Sequence, residues 1–175
     1  MQLPLRLAER ARSMPRWLRV TLLVLWAALI FYGSAQPGSA LPKGHGKLHA
    51  WIWNLCHAPE YGMLTLLLFV ALARGGRAIV PDGRTFLVVL AFVLVYAGSD
   101  EFHQSFTPGR EASACDVLTD CCGAWTVAAT LRALEKPGAR AADLAEVLLI
   151  GIPACMAAAA IATFVPPAFP EVPWL

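Results

Sequence analysis

Five stretches of this 175-residue chain are long and apolar enough to cross a lipid bilayer: Trp17 to Ser34, His57 to Arg74, Thr85 to Gln104, Asp116 to Leu134 and Asp143 to Val165. Spanning the hydrocarbon layer takes about 20 mostly apolar residues in a helix. Segments such as Met63 to Ala73 and Phe86 to Ala97 carry no polar stripe of the kind a water-facing helix needs. Composition points the same way, with 58% hydrophobic and 15% charged residues against the roughly 25% charge of soluble domains. A soluble helical protein with an unusually apolar core is the alternative, and these uninterrupted runs disfavour it. The expected fold is therefore all-α, an integral membrane helical bundle with four core transmembrane helices and a fifth at the C-terminus. One domain over residues 1–175 is the simplest organisation.

Orientation follows from the basic residues. Of the 14 lysines and arginines, all but Lys43, Lys47 and Arg110 fall before the first span or in its first turn, or in the second-to-third and fourth-to-fifth connections and the span ends adjoining them. Positive charge is retained on the cytoplasmic side, which places the N-terminus in the cytoplasm and the C-terminus outside the inner (plasma) membrane. Arginines followed by an apolar run and Gly33-Ser34-Ala35 also imitate a secretory signal, although the region before that run is long for one. Cleavage there would leave the other spans oriented as before. Pro37 to Gly46 reads as an outer loop, and Trp51 and Trp53 suit the outer interface.

Polar residues then collect at one level. With the second span running inward from His57, the third outward to Gln104 and the fourth inward from Asp116, their ionisable groups share the outer leaflet. His57 and Glu60, Asp100 with His103 and Gln104, and Asp116 with Asp120 are three or four residues apart, so each set lies on one helical face. Pro108-Gly109 supplies a helix stop and turn between antiparallel neighbours. The pocket expected from this register comprises His57, Glu60, Tyr61, Asp100, Glu101, His103, Gln104, Arg110, Asp116 and Asp120. Pro59 has no backbone N–H and sits either in the first turn of its helix, the preferred reading, or at a kink.

The order His57-x-x-Glu60-Tyr61-x-x-Leu64, then Asp100-Glu101-x-His103-Gln104-x-Phe106-x-Pro108-Gly109-Arg110, then Asp116 and Gly123, resembles the VanZ-like membrane proteins. The resemblance covers about residues 18–134, and the fifth span, about 143–165, lies beyond the usual four-helix core. Asp120 stands where the family pattern leads one to expect asparagine. The resemblance implies the four-helix architecture and an association with low-level resistance to the glycopeptide teicoplanin, without a settled biochemical activity.

Bland readings compete with the functional ones. Arg110 with Asp100, Glu101 or Asp116 is equally a structural clamp. Clamping does not account for five acids, Glu60, Asp100, Glu101, Asp116 and Asp120, beside one obligate cation. Several must be protonated, hydrated or bound to a positive ligand. His57, His103, Glu60 and Asp100 are acceptable metal-ligand types, but no compact two-histidine motif fixes their geometry, so no metal or cofactor is assigned. Ser105 and Thr107 lack the Gly-x-Ser-x-Gly elbow of a nucleophile and read as local caps. Cys56 and Cys115 lie near the outer surface and could pair, whereas Cys121, Cys122 and Cys155 read as small packing residues. Gly123 permits close helix approach. The scattered arginines without interleaved aromatics exclude a nucleic-acid partner and suit membrane lipids.

Binding of an envelope lipid or glycopeptide ligand is thus the leading expectation from the sequence, with an enzymatic role unassigned. The alternatives are an intramembrane enzyme acting on a lipid or envelope intermediate, with or without a metal, and an ion or proton-linked carrier. The carrier is disfavoured because no polar ladder continues to the inner leaflet. No sequence signal fixes an oligomeric state.

Overall fold

The computed structural model describes residues 13–38, 46–73, 82–110 and 112–165. Arg6, Arg10, Arg12, Lys43, Arg74 and Arg77, which entered the charge argument, lie outside these residues. Five helices follow one another: α1 (Arg16–Ser34), α2 (Lys47–Leu72), α3 (Gly83–Gln104), α4 (Ala114–Glu135) and α5 (Ala141–Phe164). α1, α2, α3 and α5 are long and apolar enough to cross a membrane. α4 is the exception, because Asp116, Asp120 and Arg132 interrupt its apolar character. It lies at the centre of the bundle, packed on α2, α3 and α5.

The surface is inverted relative to a water-soluble protein. Val95 and Leu149 are 72% and 75% exposed, while Asp100, Glu101, Asp116, Asp120 and Arg19 are buried. Lipid is the solvent that tolerates such an exterior, since exposed side chains then meet hydrocarbon and polar groups gain by facing one another. Between the helices, Ile30, Tyr61, Leu64, Phe69, Val89, Val93, Ala97 and Ala124 form the apolar core.

Local chemistry sets the ends and the close contacts. Asp82 caps α3 by accepting the Thr85 backbone N–H at 2.7 Å, a bond that holds its carboxyl below the usual carboxylate range. Ser113 caps α4 through the Cys115 N–H at 3.1 Å. At the opposite end of the bundle from Ser113, the buried Arg19 on α1 donates from Nη1 to the carbonyls of Val70 at 2.9 Å and Ala73 at 2.6 Å. It thereby satisfies carbonyls that the end of α2 leaves open. Where α2 and α4 cross, a Cβ on Gly123 would run into the backbone of Ala58. Small residues let the two helices approach to backbone contact, as in other membrane helix pairs.

One expectation needs correction, and one open alternative closes. The second helix begins at Lys47, ten residues before His57, so Pro59 lies in the helix interior and not in its first turn. This added stretch carries Lys47, Trp51 and Asn54, for which the sequence offered no partner. Each instead has a partner on α5: Lys47 Nζ donates to the Thr163 carbonyl at 3.2 Å, Trp51 Nε1 to the Met156 carbonyl at 3.1 Å, and Asn54 Nδ2 to Thr163 Oγ1 at 3.1 Å. The fifth helix therefore packs on the core. All five cysteines are free, so Cys56 and Cys115 are not joined.

Candidate functional site

The end of α3 turns over tightly before α4 begins. Thr107 N donates to the Gln104 carbonyl at 2.8 Å and Arg110 N to the Thr107 carbonyl at 3.1 Å, with Gly109 at φ 72°. That left-handed backbone favours glycine. Gly38, just beyond α1, donates its N–H to the Pro108 carbonyl at 3.0 Å. A Cβ on Gly38 would strike the Gly109 carbonyl. The turn is thus pinned against α1, and the last residues of α3 face α1, α2 and α4 together.

A hydrogen-bonded chain runs through this end of the bundle. Arg110 donates from Nη2 and Nε to Gln104 Oε1 at 2.8 and 3.2 Å. Gln104 Nε2 passes donors on to Asp100 Oδ2 at 3.1 Å and Glu101 Oε1 at 3.3 Å. Asp100 Oδ2 also accepts from Ser34 Oγ at 2.7 Å, and Glu101 Oε2 from the Ser113 N–H at 2.7 Å. Gln104 bridges one guanidinium to two carboxylates, its carbonyl turned to the cation and its amide to the acids. The described hydrogen bonds of Arg110 reach this amide and no carboxylate.

The second part lies one step deeper. His57 Nδ1 on α2 meets Asp120 Oδ1 on α4 at 3.0 Å, and Asp120 is fully buried. His57 is in electrostatic reach of Asp116 and Glu101 as well as Asp120. Tyr61, one turn along α2, is buried beside Asp120, Asp100 and Glu60. Its hydroxyl, Asp120 Oδ2 and Asp100 Oδ1 are buried and have no hydrogen-bond partner among the described residues. Glu60 is partly buried, within reach of His57, Asp100 and Arg110, and its backbone carbonyl accepts the Trp26 indole N–H at 3.1 Å.

Nine of the residues singled out in the sequence thus gather around this end of the bundle, and His103 turns away. Its ring stacks on Phe31 of α1 with centroids 4.4 Å apart. Residues three and four after Asp100 diverge by about 100° around a helix, enough to send Gln104 inward and His103 to α1. Two partners carried no sequence signal. Ser34 looked like part of a small-residue cleavage site, and Ser113 acts through its backbone N–H. A cap-forming serine just ahead of a helix is the one cue that would have singled out Ser113.

Residues 19–135, the region containing α1 to α4, match the family model described as VanZ/LLP1. The chain belongs to the VanZ/LLP1 family, and its α1, α2, α3 and α5 are apolar helices of a multipass membrane protein. No curated protein and no solved structure is significantly similar to it.

Proposed function

We propose that the chain binds a polar cell-envelope ligand at the Arg110 end of the bundle, with this end facing the extracytoplasmic side of a bacterial plasma membrane. The distribution of basic residues supports that orientation, because the α2–α3 and α4–α5 connections and the helix ends adjoining them carry Arg74, Arg77, Arg84, Arg132, Lys136 and Arg140. The observation that carries the reading is the convergence of Ser34, His57, Asp100, Glu101, Gln104 and Asp120 from four helices, with several polar atoms left unsatisfied. Unpaired polar groups inside a membrane protein are expensive and mark sites where something binds. The half-exposed Arg110 suits an anionic group at the mouth, and the carboxylates behind it suit hydroxyl, amide or ammonium donors. Both features fit an envelope-lipid headgroup or a glycopeptide, and the family resemblance makes teicoplanin the ligand to test first.

The experiment is survival of a teicoplanin-sensitive bacterium expressing the chain. Protection lost in Arg110→Ala and in Glu101→Ala at unchanged membrane levels supports the reading. Full protection from the double variant rejects it.

A second reading is favoured by the His57–Asp120 pair. A carboxylate fixing one imidazole nitrogen leaves the other free to move a proton, the arrangement of a general base. An intramembrane enzyme acting on a lipid or envelope intermediate would use His57 in that role, with Asp120 as its orienting partner. Turnover of labelled envelope lipid in proteoliposomes, abolished in His57→Ala, distinguishes it from binding alone.

A further inference from the structure

We infer that His57, Glu101 and Asp116 hold a divalent transition-metal ion, zinc or manganese, with Asp120 orienting the histidine from behind. This goes beyond the ligand-binding reading and does not depend on which envelope molecule is bound. One ligand atom from each of the three residues lies within 4.8 Å of the other two. Tetrahedral coordination at about 2.0–2.2 Å puts ligand atoms roughly 3.4 Å apart, so modest side-chain rotations close the site.

The three residues come from three helices: His57 from α2, Glu101 from α3 and Asp116 from the first turn of α4. Glu101 and Asp116 are buried, and His57 is largely covered. One histidine and two carboxylates match the ligand preferences of zinc and manganese, and three protein ligands leave a coordination position open to water or substrate.

Asp120 adds an independent observation. Metal-bound histidines nearly always donate their other ring N–H to a carboxylate, a backbone carbonyl or a water, which sets the tautomer. Asp120 Oδ1 occupies that place at 3.0 Å from His57 Nδ1, leaving Nε2 as the metal-facing nitrogen. The other oxygen, Asp120 Oδ2, is buried without a partner among the described residues, as is the Tyr61 hydroxyl beside it. Charge points the same way. Among the described residues no lysine or arginine forms an ion pair with Glu101 or Asp120, the nearby Arg110 being engaged by Gln104. Glu101 is held by the neutral donors Gln104 Nε2 and Ser113 N–H, and a divalent cation supplies the positive charge they do not bring.

The sequence named His57, His103, Glu60 and Asp100 as acceptable ligand types and assigned no metal. Of these His57 alone belongs to the three-residue cluster, which Glu101 and Asp116 complete, while His103 stacks on Phe31.

The test is metal content of the full chain, purified in detergent, stripped with chelator and re-equilibrated separately with zinc and with manganese. The expected result is stoichiometric uptake of one of them, accompanied by a rise in thermal unfolding temperature. His57→Ala and Glu101→Gln lose the uptake, Asp120→Asn weakens it roughly 10–100-fold, and His103→Ala retains it. Helical content and monodispersity, measured on each variant, separate lost binding from lost folding. A folded, stripped protein that takes up neither metal overturns the inference, as does folded His57→Ala or Glu101→Gln protein that binds as tightly as the unsubstituted chain. Because neither readout uses teicoplanin, failure here leaves the proposed ligand binding standing, and the converse holds.

Discussion

The imidazole of His57 and the carboxylate of Asp120 meet at 3.0 Å across the α2–α4 contact, at a point where Asp120 is wholly buried. They are 63 residues apart in sequence. The pair explains how aspartate serves at a position where the family pattern leads one to expect asparagine, because an amide oxygen would accept the same ring N–H. Asp120→Asn is therefore expected to stay close to the unsubstituted protein in stability, whereas Asp120→Ala strands the imidazole and costs about 1–3 kcal/mol. Unfolding of both variants in detergent, followed by circular dichroism, checks the contrast.

The α2–α4 crossing above that pair depends on Gly123. A methyl group there meets the Ala58 backbone, which cannot move aside as a flexible side chain would. Gly123→Ala is expected to lose about 1–3 kcal/mol of stability through overpacking. The same unfolding measurement reads it, and Gly98→Ala, where a Cβ meets nothing within 4 Å, serves as the neutral control.

Arg19 predicts a different kind of loss. Arg19→Met keeps much of the apolar stem but leaves the Val70 and Ala73 carbonyls without their charged donor. A cost of about 1.5–3 kcal/mol is expected. Hydrogen exchange should quicken at the end of α2 and leave the Arg110 end of the bundle unchanged.

Gln104 links the cation to the acids, so its removal should imitate the removal of Arg110. Gln104→Leu removes the one oxygen that accepts both described hydrogen bonds of Arg110 and takes a donor from Asp100 and Glu101. Its expected effect on teicoplanin survival equals that of Arg110→Ala. Wild-type survival in Gln104→Leu cells would show that the bridge has no part in the activity.

How far the sequence could be read depended on what each residue reports. Apolar runs fixed α1, α3, α4 and α5 to within about two residues, the usual uncertainty of helix ends. α2 was cut short because Pro59 reads locally as a first-turn proline. Lys47 and Asn54, in the stretch that extends it, find their partner Thr163 more than a hundred residues away. Helical periodicity put Asp100 and Gln104 on one face, where they are hydrogen bonded. Periodicity alone cannot say which flank of that face meets α1, which is why His103 was grouped with them and stacks on Phe31 instead. Ser34 and Ser113 contribute one hydroxyl and one backbone N–H to the acids, roles that become visible only once helices pack.

The central claim is that the polar end of the bundle faces outward, and cysteine accessibility in intact cells tests it most directly. With the five native cysteines replaced by alanine, Pro108→Cys in the exposed α3–α4 turn and Lys136→Cys in the exposed α4–α5 turn are each treated with a membrane-impermeant maleimide. Pro108→Cys is expected to react in intact cells, and Lys136→Cys only after permeabilisation. The reverse pattern would place the His57, Glu101 and Asp120 cluster toward the cytoplasm and contradict an envelope-facing site.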